Sequence, residues 1–123
     1  MGSSPKVIMA QLSKRQIQDY YQRFSSQLAD VDFAHDEEGF LQRMKKIKKD
    51  GYYISHGELN PLVTGLSVPI KFANSKESPM ALTLVASKNR FEFINIEKLI
   101  EILQTNAVQI EQKFLALSQI EHP

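Results

Sequence analysis

Residues 51–70 read GYYISHGELNPLVTGLSVPI, and this stretch is the most informative part of the sequence about the fold. Gly51 follows a lysine-rich segment and predicts the left-handed end of a helix. The aromatic run after it predicts a strand over Tyr52–Ser55, and a second strand is predicted over Val63–Phe72. The polar segment between these strands contains Gly57 and predicts the loop that joins them.

Two helices are predicted upstream of Gly51, each with its own start signal. Ser13 and Gln16 form a capping box, because the two side chains can satisfy each other's backbone N–H groups. Asp36 is predicted to cap the second helix, which ends in a basic turn before Gly51. A short helix over about Lys6–Leu12 is expected before the capping box, and residues 29–34 are expected to form a loop.

Downstream of residue 70, the pattern predicts one more strand and one long helix. The strand is Met80–Ser87, joined to the preceding one by the polar residues 73–79. Asn95 is predicted to cap a C-terminal helix whose apolar residues recur every three or four positions. The predicted fold class is therefore α+β, with an antiparallel sheet flanked by helices and a long C-terminal helix.

Composition limits the classes of protein to which the chain can belong. Its 123 residues are 42% apolar and carry a net charge of +1, which predicts one ordinary globular domain over 1–123. With no cysteine there is no disulfide framework or thiolate metal site. No signal peptide or membrane-spanning run is visible, so the cytoplasm is the expected location. Residues 1–4 resemble a cloning remnant and receive little structural weight.

Alternation along the last two predicted strands sorts their side chains onto two faces. The bulky face consists of Leu66, Val68, Ile70, Met80, Leu82 and Leu84. The small face consists of Val63, Gly65, Ser67, Ala81, Thr83 and Val85. The bulky face is expected to lie on helices. Two readings stay open for the small face: the C-terminal helix fills it, or it forms a wall of a ligand cavity.

Four parts of the sequence, in this order, resemble the effector-binding domain of IclR-type bacterial transcriptional regulators. They are Pro5–Ser13 (PKVIMAQLS), the Phe40–Gly51 helix, residues 51–70 and the C-terminal helix. The first part is similar to the family's Gly-Lys-Ala-x-Leu-Ala-x-Leu-Ser segment, with Pro5 in place of the usual glycine. The resemblance covers about Ser4 to Phe114 and implies a GAF-like sensor domain.

The resemblance also implies an effector pocket, which binds small carboxylates such as glyoxylate or pyruvate in characterised members. Seven residues match its positions: Ser3 and Ser4 as backbone donors ahead of the first helix, and Ser55, Val63, Gly65, Thr83 and Val85 on the strands. Ser55 replaces an acidic residue, Gly65 a cysteine and Val85 a serine. Because an unpaired buried carboxylate costs roughly 1–3 kcal/mol, a larger or aromatic acid is the expected effector.

Further expectations concern the parts of IclR-type regulators to which nothing in this sequence is similar. Nothing in the sequence resembles the family's winged helix-turn-helix domain, and the first strands of its sensor domain are also absent. The expectation is a truncated domain that does not itself bind operator DNA, has an unpaired sheet edge and forms homo-oligomers. In the full-length regulator the N-terminal domain would bind the operator. No cofactor and no metal are expected.

Other chemistry-bearing residues favour ordinary surface roles. The run of lysines at 45, 46, 48 and 49 is interpreted as a solvated helix end rather than a phosphate site. His35, His56 and His122 lack metal-ligand spacing. Ser55, His56 and Glu58 are of hydrolase residue types, but without a nucleophile elbow they do not indicate an enzyme. The alternatives to an effector sensor are a purely structural or oligomerisation module and, more remotely, a small enzyme.

Overall fold

The computed structural model describes residues 3–30, 33–57, 60–71 and 79–121. Its elements, in chain order, are α1 (Ser3–Ala10), α2 (Lys14–Asp30), α3 (Glu37–Asp50), β1 (Tyr53–His56), β2 (Val63–Ile70), β3 (Met80–Ser87), α4 (Lys88–Glu92) and α5 (Ile96–Glu121). The fold class is α+β, with a three-stranded antiparallel sheet and a long last helix, as the sequence predicted.

The predicted helix ends are confirmed by their hydrogen bonds. Ser13 N–H donates to Gln16 Oε1 at 3.0 Å, and Gln16 N–H donates to Ser13 Oγ at 3.2 Å, which completes the capping box before α2. Asp36 Oδ1 accepts from Gly39 N–H at 2.6 Å and starts α3. Gly51 has φ +76°, and its N–H donates to Ile47 O, so α3 ends in the left-handed conformation that glycine favours.

The helices before the sheet differ from prediction in their bounds. α1 begins at Ser3 rather than near Lys6, since the fixed φ of Pro5 is compatible with a first helical turn. α2 runs through Asp30 and so takes up part of the expected loop at 29–34. Phe24 interrupts α2 with φ −123° and ψ 19°, a local kink that the apolar spacing did not reveal.

The sheet has the strand order β1-β2-β3, and both pairs are antiparallel. Tyr53 lies opposite Ser67 on β2, and Ser67 lies opposite Thr83 on β3. The same register pairs Leu66 with Ile54 and with Leu84. Residues directly opposite each other share a face, so the two faces predicted from alternation are confirmed.

Helices pack on both sides of this sheet. α5 lies on the bulky face, where Ala107, Leu103 and Ile110 join Val68, Ile70 and Leu82. α1 lies on the other side, in a core that it shares with α2 and α3 and that also contacts Tyr53 and Ala81. The prediction that the bulky face lies on helices is confirmed. The reading in which the C-terminal helix fills the small face is wrong, because the broad apolar surface of β2 and β3 attracts that helix to the opposite side.

Two side-chain contacts fix the position of α5. Gln104 Nε2 donates to Gly51 O at 3.2 Å, which ties the helix to the end of α3. Glu111 Oε1 accepts a short hydrogen bond from Lys71 N–H, just after β2. Asn95 caps the helix as predicted, with its Oδ1 accepting from Lys98 N–H at 3.1 Å. These contacts place α5 along β2.

The segment between β3 and α5 holds an element that the sequence did not predict. α4 starts at Ser87, whose Oγ accepts from Arg90 N–H at 3.4 Å, and it buries Phe91. Five residues are too few for helical periodicity to stand out in the sequence. The polar segment 73–79, which was predicted to join the last two strands, lies outside the described residues apart from Pro79.

Candidate functional site

The strand register brings three of the predicted site residues into one row across the sheet. Ser55 on β1 lies opposite Gly65 on β2, which lies opposite Val85 on β3. Directly opposed residues have side chains about 5 Å apart, so the three positions form a continuous strip. Gly65 is buried and has no side chain, so the middle of that strip carries only backbone.

The next row along the small face carries a pair of hydroxyl groups. Ser67 Oγ and Thr83 Oγ1 are 2.6 Å apart, and each hydroxyl can both donate and accept. Ser67 is fully buried and Thr83 is half-buried. Thr83 therefore acts together with Ser67, a residue that alternation placed on the small face but that the family resemblance did not include among the site positions.

The exposure of the predicted strand residues divides the small face into two parts. Ser55 is only 7% exposed and Gly65 is buried, whereas Val85 is 63% exposed. Val63, at the start of β2, lies opposite Ser87 and is half-buried. The face is thus covered around Tyr53 and Ala81, where the core shared by α1 makes contact, and open at Val85. We call the row of Ser55, Gly65 and Val85, together with Val63 and Thr83, the strand site.

Ser3 and Ser4 lie on α1 and not on the strands that carry the other five predicted residues. They form the first turn of α1 instead of preceding it, and their side chains lie outside the described part of the chain. The first turn of a helix has N–H groups without an intrahelical partner. Pro5 removes one of these donors because its nitrogen carries no hydrogen. Their role as effector donors stays a prediction.

A buried lysine that sequence reasoning missed lies beside the small face. Lys6 on α1 is 1% exposed, and its Nζ is 3.5 Å from the hydroxyl oxygen of Tyr53. The same ammonium lies 4.5 Å from the ring centroid of Phe33 and 4.9 Å from that of Tyr53. Aromatic faces attract a cation, so both rings stabilise the buried charge.

The packing of Lys6 explains why the sequence did not reveal it. Its aromatic neighbours are 27 and 47 positions further along the chain, so no local spacing connects them. The available signal was its place in the short helix next to Val7 and Ala10, which are both buried. A lysine flanked by core positions of a short helix can itself be partly buried.

Two cavities lined only by described residues lie away from the strand site. One, of about 380 Å³, lies between α3 and the α1–α2 junction. The other, of about 520 Å³, is more open and lies around Phe33, Asp36 and Arg43. Neither includes any of the seven predicted residues, so a ligand at the strand site would use the open part at Val85 or displace part of α1.

Two of the residues considered for catalysis, Ser55 and His56, lie on opposite faces of β1. Ser55 and His56 are neighbours on β1, so their side chains point to opposite faces, and Ser55 is buried while His56 is exposed. Glu58 and His122 lie outside the described residues. Within the described ranges no three His, Asp or Glu side chains lie close enough to hold a metal ion. No helix in the same ranges is long and apolar enough to cross a membrane.

Comparison with known sequences identifies the family to which this chain belongs. The sequence pattern of the family described as Bacterial transcriptional regulator IclR C-terminal matches residues 1–112. The chain therefore belongs to the IclR family and corresponds to the C-terminal effector domain of its members. The suspected resemblance is confirmed. No curated protein sequence gives a significant match.

Solved structures show the same fold at low sequence identity. The transcriptional regulator YaiJ is 15% identical with a TM-score of 0.75, over 91% of this chain and 62% of that one. A transcriptional regulator from Rhodococcus sp. RHA1 is 20% identical with a TM-score of 0.76, over 92% and 45%. An IclR homologue from Microbacterium hydrocarbonoxydans, complexed with 4-hydroxybenzoate, is 20% identical with a TM-score of 0.66, over 94% and 45%. The chain thus spans less than two thirds of these proteins.

Proposed function

We propose that this domain senses a small organic acid, which binds at the strand site and changes how the domain packs in its regulator. The observation that carries the proposal is the row of Ser55, Gly65 and Val85, which combines a buried hydroxyl, a position without a side chain and an open end. Apolar walls with a few placed polar groups are typical of ligand sites. The role is that of a sensor and not of an enzyme.

The composition of the strand site favours an effector with an apolar body. Val63 and Val85 offer apolar surface, and the Ser67–Thr83 pair offers hydroxyl groups in the row next to Gly65. Each hydroxyl of this pair can donate a hydrogen bond to a carboxylate. An aromatic acid fits these requirements better than glyoxylate, and the 4-hydroxybenzoate complex of the Microbacterium homologue supports this choice of class.

The arrangement of α1 suggests how binding would be transmitted. α1 packs on the small face and, through the shared core, on α3. A ligand that enters between Gly65 and α1 binds one position of this helix better than another, and it can shift the equilibrium only by that difference in affinity. We propose that the shift reaches the subunit packing of a homo-oligomer and then a DNA-binding domain of the full-length, cytoplasmic regulator.

Thermal unfolding with a panel of acids tests the proposal. Benzoate, 4-hydroxybenzoate, pyruvate and glyoxylate would be compared with benzamide, a neutral match for benzoate. A ligand at 100 times its Kd stabilises the native state by about 2.7 kcal/mol, which raises Tm by roughly 10 °C for a domain of this size. We expect the aromatic acids to raise Tm the most, and equal shifts with benzamide or no shift at all would refute the proposal.

A structural or oligomerisation role is the second candidate, and the end of α5 favours it. Phe114 and Leu117 continue the stripe with which α5 packs on the sheet, yet they are 41% and 57% exposed. Leu115, beside them, is exposed as well. Contiguous apolar surface of this kind is typical of interfaces. A stable oligomer in sedimentation, together with no thermal shift from any acid, would favour this role over effector sensing.

A further inference from the structure

The run of four lysines at the end of α3 is divided by the fold into groups with different surroundings. Lys46 Nζ donates to Asp50 Oδ2 at 2.8 Å, and this hydrogen bond raises the pKa of the Lys46 amine. Lys45 and Lys48 lie on another side of the helix, three positions apart. Lys45 and Lys48 are exposed, as a solvated helix end predicts, but they also line a cavity.

Lys45 and Lys48 line the cavity of about 380 Å³ between α3 and the α1–α2 junction, which we call the lysine groove. Its floor is apolar and consists of Ala10, Leu12, Ile17, Leu41 and Met44. Its rim is polar and consists of Lys14, Glu38, Gln42, Lys45 and Lys48. None of these residues belongs to the sheet, so the groove is separate from the strand site.

The groove has a clear excess of positive charge. Three ammonium groups and one carboxylate line it, which gives a net charge of +2. Within the described part of the chain, Lys14, Lys45 and Lys48 form no ion pair. Lys14 is also the first residue of α2, where the helix dipole adds to the positive potential.

We propose that the lysine groove binds a monocarboxylate with an apolar tail. The tail would lie on Ile17, Leu41 and Met44, and the carboxylate would lie among the ammonium groups of Lys14, Lys45 and Lys48. The volume is within the range of small-molecule sites, which is about 300–1,000 Å³. An apolar floor with a cationic rim matches an amphiphilic anion on both counts, whereas a neutral apolar molecule would use only the floor.

An NMR titration of the domain with hexanoate tests this site and locates it. Backbone amide shifts are expected at residues 10–17 and 38–48. Hexanamide, which has the same tail without the charge, should bind about 10-fold more weakly. Lys45→Gln with Lys48→Gln should weaken hexanoate binding by about 10-fold, since two partly exposed charge pairs are lost. Lys98→Gln with Lys113→Gln changes the net charge equally on exposed sites of α5 and should leave Kd unchanged.

The same titration has clear contradictory outcomes. Equal binding of hexanoate and hexanamide would exclude a role for the lysines. Shifts confined to residues 53–55, 65–67 and 83–85 would place the ligand at the strand site instead. Equal loss of affinity in the α3 and α5 double variants would reduce the effect to net charge. Self-association that covers residues 10–17 and 38–48, detected by sedimentation, would make the groove an interface between copies.

Discussion

The two faces of the sheet are formed by the same three strands but carry different side chains. The bulky face buries Leu66, Val68 and Ile70 almost completely, partly under α5, and so contributes mainly stability. The small face places Ser55, Gly65 and Thr83 next to an exposed Val85 and near a buried ammonium. Because neighbours along a strand alternate between faces, the same three strands present different side chains to the helices on each side.

The side chains on each face explain which helix packs there. A long helix gains most from a broad apolar surface, and α5 lies where Val68 and Leu82 supply one. The short α1 packs against small residues, and it brings a lysine into the core instead of only apolar groups. The core on that side is nevertheless the larger of the two, because α1 shares it with α2 and α3.

The largest expected effect is the loss of a core side chain on the bulky face. Leu66→Ala removes a fully buried side chain and should lower the free energy of unfolding by about 3 kcal/mol, because it leaves a cavity. Urea denaturation followed by circular dichroism measures the change. The comparison predicts that, in the fraction that remains folded, the Kd for an aromatic acid is unchanged; a large change in Kd would mean that the faces are not independent.

A smaller effect is expected from the hydroxyl pair on the small face. Thr83→Val keeps the side-chain shape but removes the 2.6 Å contact with Ser67, so it should cost about 1 kcal/mol of stability. Adding Ser67→Ala should cost less than the sum of the two single changes, because the pair is then removed as a unit. Additive losses in urea denaturation would show that the two hydroxyls act separately.

The same Thr83→Val change separates stability from function. We expect it to weaken the binding of 4-hydroxybenzoate by about 10-fold in calorimetry, because a hydroxyl next to the Gly65 row is lost. Ser26→Ala, at an exposed position on α2, is a suitable control and should leave Kd unchanged. Unchanged affinity in Thr83→Val would remove the hydroxyl pair from the strand site.

The smallest effect on stability is expected at the open end of the small face. Val85 is 63% exposed, so Val85→Ser should change the free energy of unfolding by less than about 0.5 kcal/mol. The change introduces the serine that the family resemblance implies at this position, and we expect it to improve pyruvate binding relative to benzoate. Competition calorimetry measures the ratio of the two affinities, and a ratio that does not move would place Val85 outside the site.

Much of the fold was predictable because its signals are local. The capping box at Ser13, the cap at Asp36 and the glycine at Gly51 each act within one helical turn, and the structure has all three. Alternation over two residues defined the faces of β2 and β3, and the predicted bounds of β3 match the structure. Local signals failed for α4, whose five residues are too few to show a period.

The arrangement of the site was less predictable because it depends on distant contacts. Alternation placed Gly65 and Val85 on one face, but only the register shows that Ser55 joins them in a row. The environment of Lys6 depends on Phe33 and Tyr53, which reach it through the packing of α1. The identity of the helix over each face also depends on packing, and the sequence alone left it open.

The most direct test of effector sensing at the strand site is an NMR titration of the domain with 4-hydroxybenzoate. We expect saturable chemical-shift changes at the amides of Ser55, Gly65, Thr83 and Val85, with smaller changes along α1. We also expect smaller changes at residues 38–48 of α3 than at the strand site. No saturable shift, or shifts confined to α3 and α5, would contradict the claim that the small face binds the effector.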